Sequence, residues 1–202
     1  MNGSAAIDWG HAALVMPGQT SSGDRCVIAI ADGTALIAVI DGIGHGEEAA
    51  AAANAAALVL ETSPNESLRT LFDRCHARLR TTRGAAMTVA RFESHGRTLD
   101  WLGTGNIKTV LLRRSPQGFT CTDLLTYSGV VGAHVTQAAK RAASKTEVTP
   151  GDVLILATDG IDRKFIDAIR YDEAPQTQAE RLLASFRSPA DDALVLVARF
   201  GR

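Results

Sequence analysis

The sequence predicts an α+β fold, two antiparallel sheets with helices on the outside, and three observations carry that expectation. Its apolar segments run as strands, then two helices, then strands, a helical stretch and a final strand, the segregated order and not the strict alternation that builds a parallel sheet. Residues 25–41, RCVIAIADGTALIAVID, are two β-rich runs divided by Asp32-Gly33, a dipeptide that suits a tight hairpin and therefore antiparallel pairing. A composition of 46% hydrophobic and 21% charged residues in 202 residues fits one globular domain over 1–202 and excludes a disordered or fibrous chain.

The elements follow in order. Residues 47–61, EEAAAAANAAALVLE, read as a helix, because alanine has the highest helix propensity and two glutamates meet the positive end of the helix dipole. Its small side chains would let it lie close on a sheet. Ser63-Pro64 ends it, and a second helix begins in PNESLRTLFDRCHARLR, where Leu68, Leu71, Phe72, Cys75 and Leu79 recur at spacings of three and four. After Gly84 come the strands AAMTVARFE, RTLDWLGTGN, IKTVLLRR and FTCTDLLTY, with turns at SHG and SPQG. SGVVG (128–132) reads as a loop, and VTPGDVLILATDG passes from a Pro-Gly turn into an apolar strand that ends at Asp159-Gly160. Helices are expected in IDRKFIDAIR and TQAERLLASF, and DDALVLVARF closes as a strand.

Charge excludes several classes of partner. The 21 basic and 22 acidic residues give a net charge of -1 without a basic cluster, so neither nucleic acid nor a membrane surface is expected as a partner. No apolar run reaches the ~18 residues of a membrane span and the start has no basic flank before an apolar stretch, which reads as a cytoplasmic protein. Cys26, Cys75 and Cys121 are widely separated and odd in number, so they read as buried small hydrophobes and not as a disulfide framework or a zinc site.

Asp24, Asp41, Asp159 and Asp191 each stand at the edge of a strongly apolar strand, beside small or turn residues. If those strand ends share one edge of a sandwich, the carboxylates converge, and like charges at close range require a proton or a cation between them. Hard oxygen ligands select Mg²⁺ or Mn²⁺. Each aspartate taken alone also has an ordinary reading as a turn former or helix cap. Gly42, Gly44 and Gly46 in DGIGHG (41–46) add a turn whose backbone can approach an ion or phosphate and whose N–H groups can face an anion.

Six segments in order, SSGD (21–24), DGIGHG (41–46), GTGNI (103–107), SGVVG (128–132), GDVLILATDGI (151–161) and DDALVLV (191–197), resemble the motifs of the metal-dependent type 2C Ser/Thr protein phosphatases, in particular the bacterial SpoIIE-like branch. The resemblance runs over about residues 8–200. The short length and the leader MPGQTSSGD are most similar to the phosphatases of that branch that reset the stressosome. The resemblance implies an αββα sandwich with two Mn²⁺ or Mg²⁺ ions. Asp41 would bridge the ions, the Gly42 carbonyl would bind one, Asp159 and Asp191 would complete the other, and Asp24 would act through water. Asp192 would orient its loop, and Asn106 would hold the turn near the site.

The implied reaction is hydrolysis of phosphoserine or phosphothreonine by a water activated between two cations, with Asp41, Asp159 and Asp191 as the catalytic carboxylates. No cysteine lies in a glycine-rich loop ending in arginine, so a cysteine nucleophile is excluded. The chain also departs from the pattern. Eukaryotic members carry a histidine two residues after the bridging aspartate, and here that residue is Ile43; many relatives have a glutamate before the first aspartate, and here it is Gly23. His45 has two readings, general acid for the leaving oxygen or cap of the helix beginning near Glu47. Arg25 reads as a surface residue.

The implied partner is a phosphorylated STAS-domain protein, either a stressosome scaffold or an anti-anti-sigma factor. The competing class is a phosphatase fold that binds such a partner without turnover. Uncompensated carboxylates at four strand ends speak against it, since a scaffold has no physical use for them. Residues 129–148, with Lys140, Arg141 and Lys145, read either as a substrate-contact loop or as a solvated helix face.

Overall fold

The structure, a computed structural model, describes residues 7–31, 33–135 and 143–201. Its elements are β1 (Ile7–Leu14), β2 (Asp24–Ala31), β3 (Thr34–Gly42), α1 (Glu47–Thr62), α2 (Leu68–Leu79), β4 (Ala85–Glu93), β5 (Thr98–Thr104), β6 (Lys108–Ser115), β7 (Gly118–Asp123), β8 (Gly129–Val130), β9 (His134–Val135), β10 (Ser144–Glu147), β11 (Val153–Ala157), a 3₁₀ helix (Arg163–Ala168), α3 (Pro175–Phe186) and β12 (Ala193–Phe200). One sheet has the order β1-β12-β11-β6-β7 and the other β10-β5-β4-β3-β2, antiparallel throughout. This is the expected α+β sandwich.

Three apolar layers hold it together. Between the sheets lie Ile37, Val39, Ala90 and Leu99 from one side and Leu111, Leu154, Leu156 and Leu196 from the other. Phe92 and Phe200 stack across this layer, with ring centroids 4.3 Å apart. On the outer face of the β3 sheet, α1 and α2 bury Ala52, Ala53, Ala56, Leu71, Phe72 and Leu79 against Leu36, Ile40 and Met87. On the outer face of the β12 sheet, α3 and the 3₁₀ helix bury Leu182, Ala179 and Phe165 against Val110, Ile155 and Val195. The central strands β3, β11 and β12 are covered on both faces, which explains why they read as continuous apolar runs and not as alternating ones.

Several expectations need correction. IDRKFIDAIR holds six residues of 3₁₀ helix and no α-helix; the Asp162 side chain caps it by accepting from the Lys164 N–H at 2.9 Å. SGVVG is not a plain loop, because Gly129–Val130 pairs with His134–Val135. Of the cysteines only Cys75 is fully buried; Cys26 is half-buried and Cys121 exposed on β7. Lys140, Arg141 and Asp32 lie outside the described residues. Lys145 lies on β10, paired with Asp100 at 3.4 Å, and three strands separate β10 from β2, so it does not reach the cluster of aspartates.

Candidate metal centre

The antiparallel register of β2 and β3 places Asp24 directly opposite Asp41. The second sheet contributes its own carboxylates: Asp159 follows β11, and Asp191 and Asp192 precede β12, which pairs with β11. Thr158 joins the two sheets at this edge. Its N–H donates to the Leu194 carbonyl at 3.1 Å, its hydroxyl accepts from the Leu194 N–H at 2.9 Å, and the same hydroxyl donates to Asp24 Oδ2 at 2.7 Å. Sequence reasoning missed Thr158, although it stands in the ATDG segment that singled out Asp159.

Close backbone approach fixes the turns. A Cβ on Gly42 would stand 2.1 Å from the Ala49 carbonyl oxygen, and one on Gly160 would stand 1.8 Å from the Asp192 carbonyl oxygen. Gly42 is thus required by α1 packing on the end of β3, a reason additional to any access its own carbonyl gives to an ion. Replacing Gly42 by alanine is expected to push the first turn of α1 off the sheet and destabilise the protein by about 2–4 kcal/mol. A thermal midpoint unchanged from that of the parent protein would contradict the packing argument.

The cluster is electrostatically uncomfortable. Burial, reinforced by Asp24, Asp159, Asp191 and Asp192, raises the Asp41 carboxyl to about 8. Burial also raises Asp24, to about 7, with the Thr158 hydrogen bond opposing the rise and Asp192, Asp159 and Asp191 adding to it. Asp191 is raised by burial and by Asp159 and Asp192, and lowered by the Asp192 backbone N–H and by His45. The five carboxylates thus lie within reach of one another's charge.

Asp24, Asp41, Asp159, Asp191 and Gly42 come together at one edge of the sandwich. Asp192 is 3% exposed and accepts from the Met16 N–H at 2.8 Å and the Gly23 N–H at 2.7 Å, so it anchors the segment leading into β2, as expected of a loop-orienting residue. Asn106 does more than hold a turn: its Nδ2 donates to Asp159 Oδ2 at 2.6 Å and so aims that carboxylate. His45 is exposed, and the cap of α1 is Gly46 with no side-chain hydrogen bond, which removes the helix-cap reading of His45. Arg25 is exposed, as expected.

Among the described residues no three His, Cys, Asp or Glu side chains already converge tightly enough to hold an ion. The donor chemistry nevertheless fits a hard divalent cation, because every candidate ligand is a carboxylate or carbonyl oxygen, and a cation offsets the burial and repulsion that raise Asp24 and Asp41. Water would complete such a coordination shell.

Comparison with known proteins identifies the family and the fold. The family described as Stage II sporulation protein E (SpoIIE) matches residues 31–201. The phosphoserine phosphatase RsbX of Bacillus subtilis (strain 168) is 24% identical over 146 residues, 72% of this chain and 70% of RsbX. A crystal structure of RsbX in complex with magnesium has a TM-score of 0.83 at 21% identity, covering 96% of each chain. A chain from a structural study of the bacterial stressosome, a modular system adapted to control secondary messenger signalling, has a TM-score of 0.84 at 28% identity, covering 96% of this chain and 99% of that one. The catalytic domain of the serine/threonine protein phosphatase PstP, in complex with 2 manganese ions, has a TM-score of 0.71 at 16% identity, covering 98% of this chain and 100% of that one. The chain belongs to the SpoIIE family and has the type 2C phosphatase fold.

Proposed function

We propose that this protein is a Mn²⁺- or Mg²⁺-dependent phosphoserine/phosphothreonine protein phosphatase. The observation that carries the reading is the gathering of five aspartates from both sheets at one edge, where burial and mutual repulsion hold Asp24 and Asp41 far above the ordinary carboxylate range. In this reading Asp41, the Gly42 carbonyl, Asp159 and Asp191 would hold the ions, and Asp24 would contribute through water. Bound cations would supply Lewis acidity toward water and toward the phosphoryl oxygens.

The chain's own residues set the geometry for that chemistry. Asn106 aims Asp159, Thr158 fixes Asp24, and Asp192 clamps the segment before β2 against the cluster. His45 stands on the exposed loop within the field of Asp191, where it can hand a proton to the departing serine or threonine oxygen. The substrate is a phosphorylated STAS-domain regulator, a stressosome scaffold or an anti-anti-sigma factor; the likeness to RsbX and to a stressosome chain supports that choice.

The test is hydrolysis of p-nitrophenyl phosphate and of a phosphorylated STAS protein, with and without Mn²⁺, by the parent protein and by Asp159→Asn. Metal-dependent release of phosphate that drops by about 10²-fold or more in the variant is the expected result. Binding of the phosphoprotein without release of phosphate at any metal concentration would assign the protein to the non-catalytic class.

A further inference from the structure

A groove of about 360 Å³ runs between the two sheets on the side where each sheet ends, with Trp9 and His11 of β1 on one wall and Arg25, Cys26 and Ile28 of β2 on the other. It opens onto Asp24, which is both a lining residue of the groove and a member of the carboxylate cluster. Trp9 and His11 stack, with ring centroids 5.9 Å apart and planes at 25°.

β2 is an unusual edge. Free strand edges are ordinarily blunted by charge, by proline or by shortness, because their unpaired N–H and C=O groups template another strand. β10, at the opposite edge of the same sheet, follows that rule: it has four residues, SKTE, two of them charged. β2 breaks it, with eight residues, DRCVIAIA, whose two charges both lie at the Asp24 end. Among the described residues no strand pairs with its outer edge. Two exposed apolar side chains lie on this side, Trp9 at 40%, which lines the groove, and Ile30 at 43%, two residues beyond Ile28 along the same face of β2.

We infer that this groove holds the extended segment of the phosphoprotein that flanks the phosphorylated residue, added as a strand along β2. The inference rests on the phosphatase reading and deepens it by naming a substrate subsite. The occupant follows from continuity: chain lying in the groove with one end at Asp24 delivers its next residue to the carboxylate cluster. Main-chain hydrogen bonds to β2 supply affinity without a sequence requirement, and Trp9 and Ile28 in the groove, with Ile30 beyond it on the same face of β2, favour apolar, β-branched flanks. The groove therefore selects a phosphoserine at the end of an extended apolar segment over one within a helix.

The test compares p-nitrophenyl phosphate, which has no flanking chain, with a phosphoserine peptide carrying a Val/Ile-rich flank, for the parent protein, Trp9→Ala and Ile30→Lys. The expected result is a KM for the peptide raised about tenfold in each variant, with kcat on the peptide, p-nitrophenyl phosphate turnover and melting temperature unchanged. Equal changes on both substrates, or none on either, in a protein that hydrolyses both would overturn the groove assignment and leave the phosphatase reading standing. Absence of metal-dependent turnover of p-nitrophenyl phosphate by the parent protein would remove both. A concentration-dependent dimer in sedimentation that Ile30→Lys dissociates would give the edge to a second copy of the chain and overturn the assignment as well.

Discussion

Replacing Asp41 by asparagine is expected to abolish metal-dependent phosphatase turnover, by on the order of 10³-fold, and at the same time to make the metal-free protein more stable in alkaline solution. The two effects have one cause. Burial, with Asp24 opposite it and the carboxylates of the second sheet adding to the effect, disfavours the charged form of Asp41 so far that its carboxyl is raised to about 8. Above that pH the folded protein holds a buried charge that unfolding would return to water. Asparagine preserves the shape and removes the charge, so at pH 9 with chelator the variant should melt about 5 °C higher or more. At pH 5, little more than one unit above the unfolded value of 3.8, most of this penalty is absent, and the gap between the two proteins should be much smaller than at pH 9. Differential scanning fluorimetry at both pH values decides the matter. A variant that is destabilised equally at pH 5 and pH 9 would mean that Asp41 acts through a hydrogen bond that asparagine cannot make.

The parent protein should show the same physics as a pH profile. Asp24 and Asp41 have folded values of about 7 and about 8, above their unfolded value of 3.8, so between those limits the folded state binds protons that the unfolded state has released. Stability therefore falls as pH rises through that window, and the loss attributable to these groups is complete above about pH 8. Saturating Mn²⁺ or Mg²⁺ should flatten the fall, because a cation replaces the protons as the compensating charge. Metal binding should then release protons and tighten as pH rises toward 8. Calorimetric titration of Mn²⁺ in two buffers of different ionisation enthalpy measures that release directly. Identical heats in both buffers at pH 6.5 would rule out the proposed displacement of protons by the ion.

How far the sequence revealed the site depends on which physical signal each residue carried. The apolar stripe of Leu68, Leu71, Phe72, Cys75 and Leu79 predicted both α2 and its buried face, because a surface helix must place its apolar residues on one side. Asp24, Asp41, Asp159 and Asp191 were visible as carboxylates where apolar strands begin or end, an arrangement that burial alone would not retain. β10 was invisible, because SKTE has no apolar residue and is held through its pairing with β5. β1 was missed for a related reason: IDWGHAAL lacks clean alternation and is placed by pairing with β12, from the other end of the chain. The role of Asn106 required the second sheet, since its bond to Asp159 spans 53 residues. Thr158 likewise shows its function only once Asp24, 134 residues away, is brought beside it.

The bonds from Asp192 to Gly23 and from Thr158 to Asp24 have a consequence for how the protein acquires its activity. Each links the first part of the chain to the last, with separations of 169 and 134 residues, and β12 lies inside its sheet, between β1 and β11. During synthesis the hairpin of β2 and β3 can form early, because its contacts are local, but the cluster stays open until β12 has left the ribosome and inserted between its neighbours. A nascent or truncated chain would thus carry Asp24 and Asp41 without their partners, unable to bind metal or remove phosphate. Catalytic competence would arrive in one step, with the closure of the second sheet.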